Sequence, residues 1–199
     1  FAYVGLLPWS FFSNTLSQAS NSLVGAANLI KKVYFPRLVI PIATIAAGLV
    51  DLLVAFALVF GLMAYHGIAP TWRILFVPVL ISFAFLVSLG LSLWLSAINV
   101  KYRDVRFVVP FFVQMWLFVT PVIYPASRVV AKLDELGLPG WIFGLNPMAG
   151  VVEGFRWACL GAPAPSASFV LTSAVVTVLI VASGRAYFRR TERAFADII

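Results

Sequence analysis

The chain has 199 residues, of which 62% are hydrophobic and only 11% are charged, and its mean hydropathy is +1.02. Soluble domains carry about a quarter charged residues, so this composition excludes an ordinary water-soluble domain and indicates a membrane protein. The net charge of +7 is therefore evaluated first as a topology signal, ahead of nucleic-acid binding. A single cysteine, Cys159, excludes an internal disulfide and any cysteine-based metal cluster.

Five apolar runs approach the roughly 20 helical residues needed to cross a hydrocarbon core of about 30 Å. They are residues 6–30, 38–65, 74–98, 107–124 and 169–188. Helices are expected for all five, because open strands leave backbone groups unpaired in lipid. The sequence therefore predicts an all-α integral membrane protein, a polytopic helical bundle forming one transmembrane domain over residues 1–199.

Lysines and arginines orient these predicted spans. Ten of the fourteen basic residues lie on alternating connections, namely Lys31, Lys32, Arg37, Lys101, Arg103, Arg106, Arg185, Arg189, Arg190 and Arg193. Connections rich in lysine and arginine face the cytoplasm, so Phe1 is expected on the outside. An arrangement with both ends in the cytoplasm would need a further span before Phe1, which makes six.

Polar side chains recur along the first run at helical spacing. They are Ser10, Asn14, Ser17 and Asn21, and they share one face of the predicted helix. Hydrogen bonding between packed spans is the commoner use of such residues, and a wet translocation path is the functional alternative. Asp51 lies deep in the second run, where an unpaired carboxylate costs at least a few kcal/mol. It is expected to be protonated, bonded across helices or facing water, and a structural partner is favoured over proton coupling.

Residues 28–37, NLIKKVYFPR, form a short amphipathic connection that ends at a helix-breaking proline, Pro36. In one interpretation its basic side chains reach lipid headgroups while its aromatic side chains lie in the interfacial belt. In the other, the connection docks a cytoplasmic partner through aromatic anchors inside a polar rim. The residues alone leave both interpretations open.

The third run contains a small-residue pattern at a spacing of four, Ser88, Ser92 and Ser96, which favours close helix packing. The connection that follows it, NVKYRDVR, is short enough to join the third and fourth runs as a tight hairpin. A solvated turn and a contact with a partner are both compatible with its charges.

Residues 125–168 are expected outside, as a segment too long for a simple turn. Asn146 followed by Pro147 predicts a helix that starts there and runs toward Leu160. Glu153 and Arg156 are three residues apart and are expected to form an exterior ion pair. The aromatic residues of this segment are interpreted as interfacial anchors or as platforms for sugar rings, and they are Trp141, Phe143, Phe155 and Trp157.

Catalytic and cofactor-binding patterns are missing from the sequence. His66 is the one histidine, and adjacent Asp134 and Glu135 do not form a convergent pair of carboxylates. No G-x-x-x-x-G-K-[ST] loop is present to hold phosphates, so any ATP must be hydrolysed by another polypeptide. No catalytic residue, metal site or nucleic-acid partner is therefore predicted.

Three stretches together resemble one family. They are GLLPWSFFSNTLSQASNSLVGAANLIKKVYFPRLVIP, NVKYRDVRFVVPFFVQMWLFVTPVIYP and LNPMAGVVEGFRW. In order and spacing they resemble the permease subunits of ABC exporters for polysaccharides and polyol phosphates, such as exporters of O-antigen, capsule and teichoic acid. The resemblance covers nearly the whole chain.

The resemblance implies a homodimer of six-helix permeases in the bacterial cytoplasmic membrane, bound to two ATPase subunits that hold ATP and magnesium. It implies export of a lipid-linked polysaccharide or polyol-phosphate polymer, and an amphipathic helix and a first span ahead of Phe1. It also implies short re-entrant helices within residues 125–168. Permeases for other lipid-like or drug-like substrates, a membrane-embedded glycolipid-modifying enzyme and a passive channel are the alternatives.

The coupling role of residues follows from the same resemblance, whereas the external residues and the polar path were identified above from the sequence itself. Residues 28–37 correspond to a coupling helix seated in the ATPase, and the coupling residues are Asn28, Leu29, Lys31, Lys32, Tyr34, Phe35, Arg37, Tyr102, Arg103 and Asp104. The external segment contributes Asn146, Pro147, Glu153, Arg156 and Trp157. The hypothesis of a path for a glycan rests on Ser10, Asn14, Ser17, Asn21 and Asp51.

Overall fold

The computed structural model of the chain describes residues 1–33, 35–192 and 195, which form helices and connections with no strand among them. The α-helices are α1 (Ala2–Gly25), α2 (Ala27–Lys32), α3 (Val39–Tyr65), α4 (Val77–Lys101), α5 (Val105–Val119), α6 (Ala126–Glu135), α7 (Pro147–Leu160) and α8 (Ala167–Thr191). Two 3₁₀ helices lie at Trp72–Phe76, before α4, and at Gly140–Leu145, before α7. The prediction of an all-α polytopic membrane protein is confirmed.

Helix α4 lies at the centre of the bundle, between α1 and α8. Its face toward α1 carries four buried polar residues at helical spacing, Ser88, Ser92, Ser96 and Asn99. Its opposite face carries Gly90, where an added Cβ would lie 2.8 Å from a backbone nitrogen of α8. Small side chains on both faces therefore let three helices approach closely, and the packing predicted for the serine pattern is confirmed.

The helix ends that carry most of the basic residues meet at one end of the bundle, called the basic end below. A buried cluster there contains Leu23 of α1, Ile30 of α2, Val100 of α4 and Phe188 of α8. The opposite end, called the α7 end, contains α6, α7 and the N-terminus of α1. The alternating connections that carry basic residues thus lie together, as the topology argument requires.

Among the residues that the structure describes, three helices are long and apolar enough to cross a membrane, Val39–Tyr65, Ala167–Thr191 and the continuous stretch Trp72–Lys101. Helix α1 has 24 residues but is less apolar, because it carries the polar stripe. Helix α5 has only 15 residues, since the chain leaves the helix after Val119, just before the Thr120–Pro121 pair. The count of five spans therefore stays a prediction, and the runs 6–30 and 107–124 each end earlier as single helices than the sequence indicated.

Candidate functional site

Helix α2 presents an exposed polar surface at the basic end. Of its six residues only Ile30 is buried, and it packs into the cluster that joins α1, α4 and α8. The exposed members that were predicted as coupling residues are Asn28, Leu29, Lys31 and Lys32. One buried residue and an exposed face that is polar except for Leu29 describe a helix that is anchored from within and open to a partner from outside.

The connection after α2 is also attached to the bundle. Phe35 packs against the same cluster, and the Arg37 guanidinium donates a hydrogen bond to the Glu192 carbonyl oxygen at the end of α8. Tyr34, the remaining predicted coupling residue of this connection, lies outside the described residues. The segment is thus fixed to α8 as well as to α1.

The turn between α4 and α5 adds a second exposed element at this end. Tyr102, Arg103 and Asp104 are all exposed, and the Lys101 ammonium lies 5.1 Å from the centre of the Tyr102 ring. Arg103 and Asp104 form no ion pair with each other in the described part of the chain. Because Val100 shares the buried cluster with Ile30, this turn and α2 lie at the same end of the bundle. Together they are called the basic-end surface below.

A groove between α1 and α3 brings together residues that are far apart in sequence. Ser10 and Asn14 of α1 line it with Asp51 of α3, and Gln18 of α1 is a further polar member. The groove has a volume of about 190 Å³ and is open on one side. Asp51 is exposed, and it makes no hydrogen bond to any side chain that the structure describes, so the expected structural partner across helices is not found.

The other half of the predicted polar stripe is used for packing. The Asn99 amide of α4 donates hydrogen bonds to the Asn21 side-chain oxygen at 3.0 Å and to the Ser20 carbonyl at 2.9 Å. Asn21 donates in turn to the Ser17 carbonyl at 3.0 Å. The stripe therefore divides: Ser10 and Asn14 face the groove, whereas Asn21 joins α1 to α4.

Arg156 occupies an enclosed position at the α7 end. Its guanidinium is fully buried and lies 2.8 Å from the Glu153 carboxylate. The predicted ion pair is therefore present, and it is enclosed by the protein rather than exposed to solvent. Its position on the outer side of the membrane stays a prediction. Burial lowers the pKa of Arg156, and the Glu153 carboxylate acts in the opposite direction. Because an arginine guanidinium does not lose its proton in proteins, Arg156 carries its positive charge in this position.

Backbone carbonyl groups after α5 surround the same guanidinium. One terminal nitrogen donates to the Pro121 carbonyl at 2.6 Å and the Tyr124 carbonyl at 3.0 Å, and the other donates to the Val122 carbonyl. Glu153 also accepts from the Ala126 backbone N–H at 3.0 Å, at the start of α6. Arg156 thus fixes the α5–α6 connection onto α7.

The predicted start of α7 is confirmed. The Asn146 side chain accepts from the Met148 N–H as an N-cap, Pro147 is the first helical residue, and the helix ends at Leu160. The Asn146 amide also donates to the Thr120 hydroxyl at 2.9 Å. Sequence reasoning missed Thr120, although a hydroxyl residue directly before a proline within an apolar run was a usable signal.

The four aromatic residues singled out at this end differ in burial and in their contacts. Trp157 packs edge-to-face against Phe76 at 5.4 Å and Trp72 at 6.4 Å, and the Arg73 guanidinium lies 5.5 Å from its ring. Phe155 is fully buried against Phe56, so the expectation that it is an interfacial anchor or sugar platform is wrong. Phe143 stacks on Phe169, whereas Trp141 remains exposed.

The residues that could ligate a metal are dispersed. His66 is exposed at the end of α3, and Asp134 and Glu135 are exposed at the end of α6. Over residues 1–33, 35–192 and 195, no three His, Cys, Asp or Glu side chains come close enough together to hold a metal ion.

Comparison with known proteins places this geometry in context. The family described as "ABC-2 type transporter" matches residues 2–160. The chain is 28% identical to the O-antigen export system permease protein RfbA of Myxococcus xanthus, over all of this chain and 75% of that protein. Two proteins of the same name from Klebsiella pneumoniae are 23% and 22% identical over all of this chain, which covers 74% of each.

Proposed function

Because the chain belongs to the ABC-2 type transporter family, we propose that it is the membrane-spanning permease subunit of an ATP-driven exporter. Its cargo is a lipid-linked polysaccharide or a related polyol-phosphate polymer, which crosses the bacterial cytoplasmic membrane. The names of the relatives, O-antigen export system permeases, support this choice of cargo. Two copies of this chain assemble with two ATPase subunits, and these separate subunits bind ATP and magnesium.

The basic-end surface is the contact with the ATPase. The observation that carries this assignment is the anchoring of α2, whose Ile30 is buried among the ends of α1, α4 and α8. A helix attached in this way transmits a force to three long helices, whereas a helix lying freely on lipid headgroups does not. Closure of the ATPase subunits on ATP therefore moves α2, and with it α1.

The α1–α3 groove lines the path of the polymer. Ser10, Asn14 and Asp51 supply hydroxyl, amide and carboxylate groups to one open surface, to which Gln18 adds a second amide. Such groups exchange hydrogen bonds with water and with sugar hydroxyls, so a glycan moves past them without leaving polar groups unpaired. Asn21 is excluded from this path, because it is engaged with α4.

The test uses the full-length protein, purified with its ATPase subunit and reconstituted into liposomes. Leu29→Glu places a carboxylate on the exposed face of α2, where Leu29 is 49% exposed. We expect at least a tenfold loss of permease-stimulated ATP hydrolysis and of polymer export, since an added anion disfavours the docked helix. Leu136→Glu is the matched control, because Leu136 is 68% exposed at the α7 end.

Each outcome bears on the proposal. Loss in Leu29→Glu with retention in Leu136→Glu supports docking at the basic end. Equal activity of the two variants overturns the coupling assignment, and the absence of any ATP-dependent polymer export by the wild-type complex overturns the function itself.

A further inference from the structure

Three segments meet around one buried guanidinium at the α7 end. Helix α7 supplies Arg156 and Glu153, the α5–α6 connection supplies the Val122 carbonyl, and α1 supplies Gly5. These four residues are called the α7 joint below. The Arg156 guanidinium carbon also lies 3.9 Å from the centre of the Phe1 ring, which covers it from the α1 side.

We propose that the α7 joint transmits movement of α1 to the external segments, and that Arg156 is the positioning residue of this transmission. The inference rests on the proposed function, since it assigns a consequence to the movement of α2. In this scheme α1 connects the ATPase contact to the segments that open the exit for the polymer.

Helix α1 is long enough to make this connection. It is continuous over 24 residues, which at 1.5 Å per residue is about 36 Å, and only Ala26 separates it from α2. One end of α1 is therefore fixed to the basic-end surface while the other reaches the α7 joint. A displacement of α2 along or across the bundle is carried over this whole distance.

The contact at Gly5 leaves no space between α1 and the α7 joint. An added Cβ on Gly5 would lie 2.7 Å from an Arg156 terminal nitrogen and 2.9 Å from the Val122 carbonyl oxygen. Glycine is needed here for close approach, since Gly5 is an ordinary helical residue without a positive φ. Because the contact leaves no free space, movement of α1 displaces the guanidinium and the carbonyl groups to which the guanidinium donates hydrogen bonds.

Arg156 passes a displacement of α1 on to the α5–α6 connection and to α7. Its two terminal nitrogens bond to three carbonyl groups of residues 121–124 and to Glu153, so the α5–α6 connection and α7 move as one. Its remaining nitrogen, Nε, is buried without a hydrogen-bond partner in the part of the chain that the structure describes. A buried ion pair with an unpaired donor is a poor source of stability compared with apolar packing. Its location at a junction of three segments favours a mechanical role.

The decisive variant is Gly5→Ala, which opens the joint without changing any charge. It is made in the full-length permease, purified with its ATPase and reconstituted with the lipid-linked polymer. The matched control is Gly61→Ala on α3, where an added Cβ meets nothing within 4 Å. Two quantities are measured, the rate of ATP hydrolysis and the amount of polymer exported per ATP hydrolysed.

We expect Gly5→Ala to retain ATP hydrolysis within about twofold of the wild-type rate while export per ATP falls at least tenfold. Gly61→Ala is expected to leave both quantities unchanged. A merely structural role predicts a different result, because a partly unfolded population lowers both rates together and leaves their ratio constant.

Glu153→Gln provides a second variant if Gly5→Ala does not assemble with the ATPase. It keeps the shape of the side chain and the Arg156–carbonyl bonds but removes the charge partner, and we expect export per ATP to fall about threefold. An unchanged ratio in the assembled variants overturns the joint. If instead the wild-type complex exports no polymer on ATP, the proposed function fails, whatever the joint does.

Discussion

At the residue scale, the chemistry of Cys159 is set by its burial in α7. Burial raises the pKa of the Cys159 thiol to about 11. Because the thiolate is the reactive form, alkylation by a maleimide at pH 8 is expected to be roughly 200-fold slower than for a free cysteine of pKa about 8.5. The upward shift of the pKa also sets the pH dependence of labelling. The labelling rate of Cys159 should keep rising up to pH 10, whereas the rate of an ordinary thiol has levelled off by then. Labelling followed by mass spectrometry measures both.

The control for this prediction is an exposed thiol in the same protein. Ala131→Cys on α6, in a Cys159→Ser background, presents a cysteine at an exposed position of a neighbouring helix. It should label rapidly in the folded protein, and wild-type Cys159 should do so only after denaturation. Equal rates for the two folded proteins would contradict the burial of Cys159.

Asn99 and Asn14 provide a second prediction, because one asparagine is used for packing and the other faces the groove. Asn99→Ala removes two hydrogen bonds between α4 and α1 and should lower the stability of the protein by about 0.6–2 kcal/mol. Asn14 is exposed in the groove, so Asn14→Ala should leave stability unchanged. Thermal unfolding in detergent compares the two variants, and equal effects would contradict the division of the polar stripe.

Local chemistry explains which residues could be predicted from the sequence. The N-cap at Asn146 depends on the next two residues, so the Asn-Pro pair was sufficient to predict it. The burial of Arg156 was not predictable, because its carbonyl acceptors belong to residues 121–124, more than 30 positions away. An arginine three residues after a glutamate is the same pattern in an exposed helix and in an enclosed one.

At the scale of elements, the contact between α4 and α8 depends on two glycines. An added Cβ on Gly184 would overlap the Gly90 carbonyl oxygen, which belongs to the backbone and cannot turn away as a flexible side chain could. Gly184→Ala should therefore separate the helices and lower stability by about 1–3 kcal/mol, as overpacking does. Thermal unfolding measures the change.

Gly61→Ala serves as the comparison for this substitution as well. Nothing lies within 4 Å of a Cβ at position 61, so the change replaces glycine inside a helix without a clash. It should be neutral or slightly stabilising, by up to about 1 kcal/mol, because alanine is the better helix former. A loss of stability as large as that of Gly184→Ala would show that the close approach is not the cause.

The ends of two helices were not predictable from the apolar runs that contain them. Apolar runs alone placed the end of the first helix at residue 30, whereas α1 ends at Gly25 and α2 follows after one residue. The fourth run continued to residue 124, but the helix ends at Val119, where the Thr120–Pro121 pair begins an extended connection. The pairing of Gly90 with Gly184 had no signal in a single sequence, since two isolated glycines in separate runs do not indicate that they meet.

At the scale of the whole molecule, charge predicted more of the arrangement than hydropathy did. The connections with lysine and arginine were assigned to one side, and the structure brings their helix ends into one buried cluster. Hydropathy measures how apolar a run is and not where a helix within it ends. It therefore could not distinguish the long helices α3, α4 and α8 from the shorter α5. The sequence indicated the polar residues of α1 and Asp51 of α3 separately. It could not indicate that they line one groove, because the register of Asp51 against Ser10 depends on tertiary packing.

Orientation in the membrane is the prediction on which the coupling scheme depends. Lys32 on α2 and Ser127 on α6 are both exposed, and they lie at opposite ends of the bundle. In a Cys159→Ser background, Ser127→Cys should react with a membrane-impermeant maleimide in intact cells, because the positive-inside rule predicts that the α7 end faces outward. Lys32→Cys should react at least tenfold less until the membrane is permeabilised, after which the two should label equally. The reverse pattern would place the basic-end surface outside the cell, where no ATP-binding partner could reach it, and the proposed coupling through α2 would be wrong.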